Sequence, residues 1–252
     1  MLYLVEHFFS IQGEGRYTGV PSLFFRFGGC NMRCVGFGCT EISPEGADVT
    51  GCDTVYAVSK QHFGAQWLAI EHADELITIL HSYTLPPKVD VVMTGGEPLI
   101  YAENEVFVAF VQYLVERGHR VTFETNGAMA VDFDRFPVYR QCVFALSVKL
   151  SNSGEPYAKR VNPKAFVPIA RNAKEAFFKF TIDAASIGEN MEHEIDEIVA
   201  QAPELQVYCM PMGGSRAEIE YNSEAVIEFC KARGYTYSDR LHIRIWDANK
   251  GV

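Results

Sequence analysis

The sequence predicts an α/β fold of parallel βα units, and three observations lead there. Short β-branched and aromatic runs recur along the 252 residues. Segments with helical periodicity lie between them. Glycine-rich or polar tags close the runs. Strands that alternate with helices imply parallel pairing through right-handed crossovers. In such folds the chemistry gathers at the C-terminal ends of the strands, so the tags should converge on one face.

The first run, Leu23–Phe27 (LFFRF), ends at Gly28-Gly29. Val89–Met93 (VDVVM) ends at Thr94-Gly95-Gly96, and Arg120–Phe123 (RVTF) ends at Glu124-Thr125-Asn126-Gly127. Val143–Val148, Ala176–Ile182 and Leu205–Met210 read as further strands. Among the helices, Ile70–His81 places Leu76, Ile77 and Leu80 on one face. Tyr101–Glu116 aligns Val106, Phe107, Phe110, Val111 and Leu114. Glu194–Ala200 and Ser223–Arg233 carry weaker helical patterns. Two stretches read as irregular: residues 35–68, rich in glycine and polar residues, and the loop Ser151–Pro168. Loops of that length are usually functional or mobile.

A length of 252 residues suits a single domain spanning 1–252, and 48% apolar residues supply a sizeable core. The net charge of −10 disfavours nucleic acid as a partner. No apolar run approaches the ~18–20 residues of a membrane span. The N-terminal segment lacks a basic region and a small-residue cleavage site, so a cytoplasmic location is expected. Of seven cysteines, Cys30, Cys34, Cys39 and Cys52 cluster. Clustering in a long chain without an export signal points to metal ligation rather than disulfides. Cys142, Cys209 and Cys230 lie in apolar contexts and read as buried thiols.

Three thiolates on one loop can hold three irons of a cubane and leave the fourth open to a small molecule. Structural zinc is the rival, but it prefers two separated C-x2-C knuckles. Here three, four and twelve residues separate successive cysteines. Arg26 sits inside an otherwise apolar strand. A buried guanidinium needs a ligand or a carboxylate, and a substrate is the expected partner; the alternative is an outward charge on an edge strand.

The segment Gly29-Cys30-Asn31-Met32-Arg33-Cys34, followed by Cys52-Asp53-Thr54, resembles the C-x3-C-x2-C signature of the 7-carboxy-7-deazaguanine synthases, a radical S-adenosylmethionine (SAM) family. Seventeen residues stand between Cys34 and Cys52 where the family has two. Further matches are Gln12-Gly13-Glu14-Gly15, Thr94-Gly95-Gly96-Glu97-Pro98 and Glu124-Thr125-Asn126-Gly127. Ser147-Val148-Lys149 resembles the family's S-P-K, and Met210-Pro211-Met212 its Q-P-x.

The resemblance implies an incomplete (β/α) TIM-like barrel of the radical SAM type, with a cluster loop at 28–58, an insertion at 35–51 and a substrate-covering tail at 238–252. The insertion is expected to replace a helical element of related barrels and to cover the cluster. The implied enzyme is a carbon–nitrogen lyase of 7-deazapurine (queuosine) biosynthesis. It turns 6-carboxy-5,6,7,8-tetrahydropterin into 7-carboxy-7-deazaguanine, with loss of ammonia. The implied cofactors are a [4Fe–4S] cluster on Cys30, Cys34 and Cys52, SAM, and Mg2+ on Thr54. Cys39 stays open as an alternative third ligand. SAM would meet Gly96, Glu97, Ser147, Val148, Lys149, Met210, Pro211, Met212 and Gly213. Substrate would meet Ile11, Gln12, Gly13, Glu14, Arg26, Thr94 and Glu124, with Glu124 also a candidate for the SAM ribose. His242 taken alone reads as a strand histidine. A homodimer and a flavodoxin- or ferredoxin-type electron donor are further expectations. Two other readings remain: an activating enzyme that makes a glycyl radical on a partner protein, and a non-catalytic zinc or iron–sulfur protein.

Overall fold

Alternation within the β-rich runs assigns their two faces, because successive side chains of a strand point to opposite sides. In the computed structural model, which describes residues 1–249 and 251, these runs build one open sheet. Its strands are β1 (Leu2–Ile11), β2 (Pro21–Phe27), β5 (Leu68–Ile70), β6 (Asp90–Gly95), β7 (Arg120–Thr125), β8 (Val143–Leu146), β9 (Glu175–Ile182), β10 (Gln206–Pro211) and β11 (Thr236–Tyr237). The order is β11-β10-β9-β8-β7-β6-β2-β1-β5. From β2 through β11 every neighbouring pair is parallel. The expectation of parallel strands needs one amendment: β1 runs antiparallel to both β2 and β5. The long N-terminal strand thus forms a hairpin with β2 and carries β5 as the sheet's edge.

One face of the sheet carries Phe25, Phe27, Val91, Met93, Val121, Phe123, Phe144, Leu146, Phe178 and Phe180, all fully buried. Helices cover it. On α4 (Glu105–Glu116), Phe110 meets Phe25 and Phe107 meets Phe27, each with ring centroids 5.0 Å apart. Burying one such ring stabilises the fold by about 1.5–3 kcal/mol. The residues between these apolar positions, Arg26, Thr94, Glu124, Ser147, Lys179 and Met210, face the opposite way and line a cavity.

Local signals set the helix ends. Asn104 caps α4 by accepting from the amides of Val106 and Phe107. Capping boxes open α3 (Ala73–His81), through His72 and Glu75, and α8 (Arg216–Arg233), through Ser215 and Glu218. Gly234, with φ of 68°, ends α8 in the left-handed conformation that glycine accepts.

The two stretches read as irregular contain regular structure. Residues 35–68 hold a separate hairpin, β3 (Cys39–Ile42) with β4 (Asp48–Gly51), then α1 (Val55–Val58) and α2 (Lys60–Phe63). Residues 151–168 hold α5 (Tyr157–Arg160) and the start of α6 (Pro163–Asn172). Pro168 inside α6 masks its helical pattern, whereas Pro163 sits at the helix start, where proline fits. Near the C-terminus lie α7 (Asn190–Val199), packed through Met191, Ile195 and Ile198, and α9 (Leu241–Trp246). His242 therefore belongs to a helix, not to a strand. Residues 250 and 252 of the expected tail lie outside the described residues. Among the described residues no helix is long and apolar enough to cross a membrane.

Candidate active site

The C-terminal ends of β6 to β10 converge on a cavity of about 550 Å³, a size that suits a small-molecule site. Three chain segments complete it: residues 11–14 after β1, the cysteine-bearing residues 30–54, and the C-terminal residues 240–249.

The loop after β2 lies directly against the end of β6. The Gly96 amide donates to the Phe27 carbonyl at 3.1 Å, and the Glu97 amide to the Gly29 carbonyl at 2.9 Å. A Cβ on Gly96 would collide with the Gly29 carbonyl, so only glycine permits this approach. Glu97 faces away from the cavity and is fully buried. Its carboxylate accepts from Thr125 Oγ1 (2.7 Å) and from the amides of Asn126 (2.7 Å) and Leu99 (3.0 Å). Burial raises its pKa against the pull of those bonds. Glu97 ties the ends of β6 and β7 together, and Asn126 carries the tie onward by donating from Nδ2 to Asn31 Oδ1 at 2.7 Å.

Cys30, Cys34, Cys39 and Cys52 all line the cavity. Burial, reinforced by Glu97 and by the neighbouring Cys34 and Cys52, pushes the Cys30 thiol up to about 12. Burial and Cys52 push Cys34 up to about 11, opposed by Lys149. Cys30, Cys34 and Cys52 thus lie within one another's electrostatic reach, whereas Cys39 is coupled to Cys52 and Asp53. Burial alone raises a thiol in this way, as it does for the core residue Cys142; binding a metal would require these thiols to release their protons. Among the described residues no three of the His, Cys, Asp and Glu side chains gather around a single ion. A cubane takes its thiolates at separate corners, and the cysteines that line the cavity are enough to supply them. The Met32 amide donates to Cys30 Sγ at 3.3 Å, a contact that favours a thiolate. Thr54 Oγ1 stands 3.4 Å from Cys52 Sγ.

The same cavity has a charged floor. The Lys179 ammonium, on β9 with 4% of its side chain exposed, bridges Glu14 (2.9 Å) and Glu124. Gln12 Nε2 donates to the other Glu124 oxygen at 3.1 Å. Arg240 Nε donates to the other Glu14 oxygen at 2.7 Å, and its remaining nitrogens reach Asp53 and the Gly213 carbonyl. Burial acts to raise the Glu14 carboxyl, but Lys179 and Arg240 outweigh it and hold it well below the usual carboxylate range. Burial likewise opposes the charge on Lys179, and Glu124 and Glu14 overcome it, so the ammonium is held more tightly than usual. His242 packs against Gly13, and burial lowers its pKa, keeping the ring neutral near pH 7.

Most of the residues expected at the site meet in this one cavity: Ile11, Gln12, Gly13, Glu14, Arg26, Cys30, Cys34, Cys52, Thr54, Thr94, Gly96, Glu124, Ser147, Lys149, Met210, Met212 and Gly213. Glu97, Val148 and Pro211 do not line it. Val148 is buried in the apolar core, and Pro211 closes β10. Arg26 has its carboxylate within the chain. Its Nε donates to Glu6 Oε1 at 2.6 Å, and the Tyr56 hydroxyl donates to the same oxygen at 2.8 Å. Lys179, Asn126 and Arg240 were given no site role by the sequence reading. A charged residue at a cavity-facing register of the apolar run AFFKFTI was the available signal for Lys179.

The sheet and the cysteine-lined cavity define an iron–sulfur enzyme of the radical SAM class. The family described as "4Fe-4S single cluster domain" matches residues 11–165. A 7-carboxy-7-deazaguanine synthase of Hyperthermus butylicus is 34% identical over 97% of this chain and 93% of its own length. One of Rhodopirellula baltica is 31% identical over 99% and 88%. The crystal structure of QueE from Escherichia coli superposes with a TM-score of 0.64 over 96% of this chain and 94% of that one, at 21% identity, which supports the fold. The chain belongs to the 7-carboxy-7-deazaguanine synthase family.

Proposed function

We infer that this cavity converts 6-carboxy-5,6,7,8-tetrahydropterin to 7-carboxy-7-deazaguanine with release of ammonia, within 7-deazapurine (queuosine) biosynthesis. The observation that carries the reading is the division of one cavity into a thiol wall and a charged floor. Cys30, Cys34 and Cys52 would hold the [4Fe–4S] cluster. Together with SAM, the bound cluster supplies one-electron chemistry that removes a hydrogen atom from the substrate.

The chain's own residues position the substrate. Gly95 and Gly96 let the end of β6 pack directly against Phe27 and Gly29, which keeps the cysteine loop beside the place of a bound methionyl group. Lys149, with Ser147 2 residues before it on the same strand exit, presents a cation and a hydroxyl for the SAM carboxylate or ribose; Lys149 Nζ already donates to Ser147 Oγ at 3.2 Å. Glu14, Glu124 and Gln12 present acceptors and an amide for the N–H edge of a pterin. Arg26 offers a guanidinium face to its carboxylate, and Glu6 and Tyr56 fix that guanidinium in place. The Thr54 hydroxyl would be one of few protein ligands to Mg2+, the rest coming from substrate and water. The tail from Arg240 onward covers the floor and excludes water. A homodimer, a flavodoxin- or ferredoxin-type electron donor and a cytoplasmic location complete the reading.

The test is anaerobic. The protein is loaded with iron and sulfide, supplied with dithionite, SAM, Mg2+ and the pterin, and followed for 7-carboxy-7-deazaguanine by mass spectrometry. Product supports the reading. SAM cleavage without product would assign a different substrate, and neither event from cluster-loaded protein would defeat the enzymatic reading.

A further inference from the structure

We propose that Glu155 is a positioning residue for the iron–sulfur centre: its carboxylate holds the backbone of the cluster loop so that the Cys34 thiol points into the cavity. Glu155 Oε1 accepts from two consecutive loop amides, Arg33 N at 2.5 Å and Cys34 N at 3.0 Å. Cys34 adopts φ of 49° and ψ of 46°, a left-handed conformation that residues other than glycine rarely take. Such a conformation persists where its surroundings over-determine it. Here two hydrogen bonds to one oxygen do so. The carboxylate's other oxygen pairs with Lys159 Nζ at 2.7 Å, and only 7% of the Glu155 side chain is exposed.

The loop that presents Glu155 is itself pinned. Gly36 lies so close to the backbone of residues 152–154 that a Cβ there would strike the Asn152 carbonyl. Ser153 is fully buried and donates from Oγ to the Leu150 carbonyl at 2.7 Å, and the Glu155 amide donates back to Ser153 Oγ at 3.3 Å. On α7, Glu194 accepts from the Ser151 amide at 2.9 Å and pairs with Arg160 at 3.1 Å. Arg160 in turn donates to the Lys149 carbonyl at 3.1 Å. One segment, residues 147–155, therefore presents Ser147 and Lys149 to the cavity and braces Cys34 from behind. Glu155 fixes the distance between the cluster loop and the groups expected to hold SAM.

The experiment reads cluster retention, which depends neither on substrate nor on turnover. Wild type, Glu155→Gln and Glu155→Ala are loaded anaerobically with iron and sulfide, and cluster loss to an iron chelator is followed by visible absorbance, with bound iron assayed in parallel. Losing two hydrogen bonds to a charged acceptor should speed cluster loss by about ten-fold or more in Glu155→Ala. Glu155→Gln keeps an acceptor oxygen and should restore most of the wild-type rate. Circular dichroism should show that the cluster-free forms of both variants remain folded. Wild-type retention in Glu155→Ala, or equal loss in both variants, would overturn the proposal. If Glu155→Ala does not fold, amide exchange in the wild-type chain decides. Exchange at Arg33 and Cys34 that is slow relative to the unbonded loop amides supports the brace, and exchange at the rate of an unstructured peptide overturns it.

Discussion

Replacing Lys179 with methionine would remove one cation from between two buried carboxylates while keeping the length of the side chain. In the intact protein Lys179 touches Glu14 and Glu124, whose side chains are only 12% and 16% exposed. Removing one partner of a buried pair costs about 3–5 kcal/mol, because the orphaned charge stays desolvated. Arg240 still serves Glu14 through its other oxygen, which places Lys179→Met near ~3 kcal/mol. In a chain of this length each kcal/mol shifts the melting temperature by about 2–4 °C, so a fall of about 6–12 °C is expected at pH 7. The effect has a defined pH dependence. The Glu14 carboxyl is depressed in the folded state, so its contribution is present above the unfolded value of about 4.3 and lost as the pH falls through the folded value. Without Lys179 that depression shrinks. The gap between the two proteins is therefore full at pH 7 and narrows below about pH 4. Thermal unfolding followed by circular dichroism at both pH values measures it. A variant that melts within about 2 °C of wild type at pH 7, or a gap of the same size under acid conditions, would refute the reasoning.

Cys52→Ala should bind substoichiometric iron after anaerobic reconstitution, while Cys39→Ala keeps a full cluster; iron and sulfide assays read this directly, and the reverse result would make Cys39 the third ligand. Gly96→Ala drives a methyl group into the Gly29 carbonyl and should lose both cluster content and SAM affinity, measured by equilibrium dialysis. His242 is held neutral by burial, so stability should drop as the pH falls from its unfolded value of about 6.5 towards its lower folded value. His242→Gln should flatten that part of the stability profile, and an unchanged slope in urea titrations would assign the proton uptake to another group.

Much of the parallel sheet was legible in the sequence because each strand is buried on its helix-covered face. Phe25, Phe27, Val91, Met93, Phe123 and Phe144 leave a strong apolar signature, and the glycine and polar tags mark where the strands stop. The cavity followed from the same logic, since Thr94, Glu124 and Ser147 close their strands. The antiparallel β1 was not legible: the hairpin's direction depends on residues 12–20 folding back, and the run HFFSI carries no strict alternation. The β3–β4 hairpin pairs only four residues on each strand and buries only Val49 and Gly51 of them, so it lacks an apolar face to read. Glu97 sits in a motif expected to face the cofactor, yet its bonds to Thr125 and Asn126 span strands that sequence alone does not place side by side. Partnerships of this kind, like that of Arg26 with Glu6, appear only once the register of neighbouring strands is known.

The cavity floor joins the two ends of the polypeptide. The Gly15 amide donates to Ser238 Oγ at 2.7 Å, the Leu241 amide to the Gly13 carbonyl at 2.8 Å, and Arg240 to Glu14. During synthesis, Glu14 emerges long before its guanidinium partner exists. All four clustered cysteines and the bracing Glu155 are exposed to the cell before His242 is made. Ribosomes add about 5–20 residues per second, so the interval from Glu155 to His242 lasts roughly 4–17 s. For that time a nascent chain carries its four clustered cysteines without the residues that complete the floor.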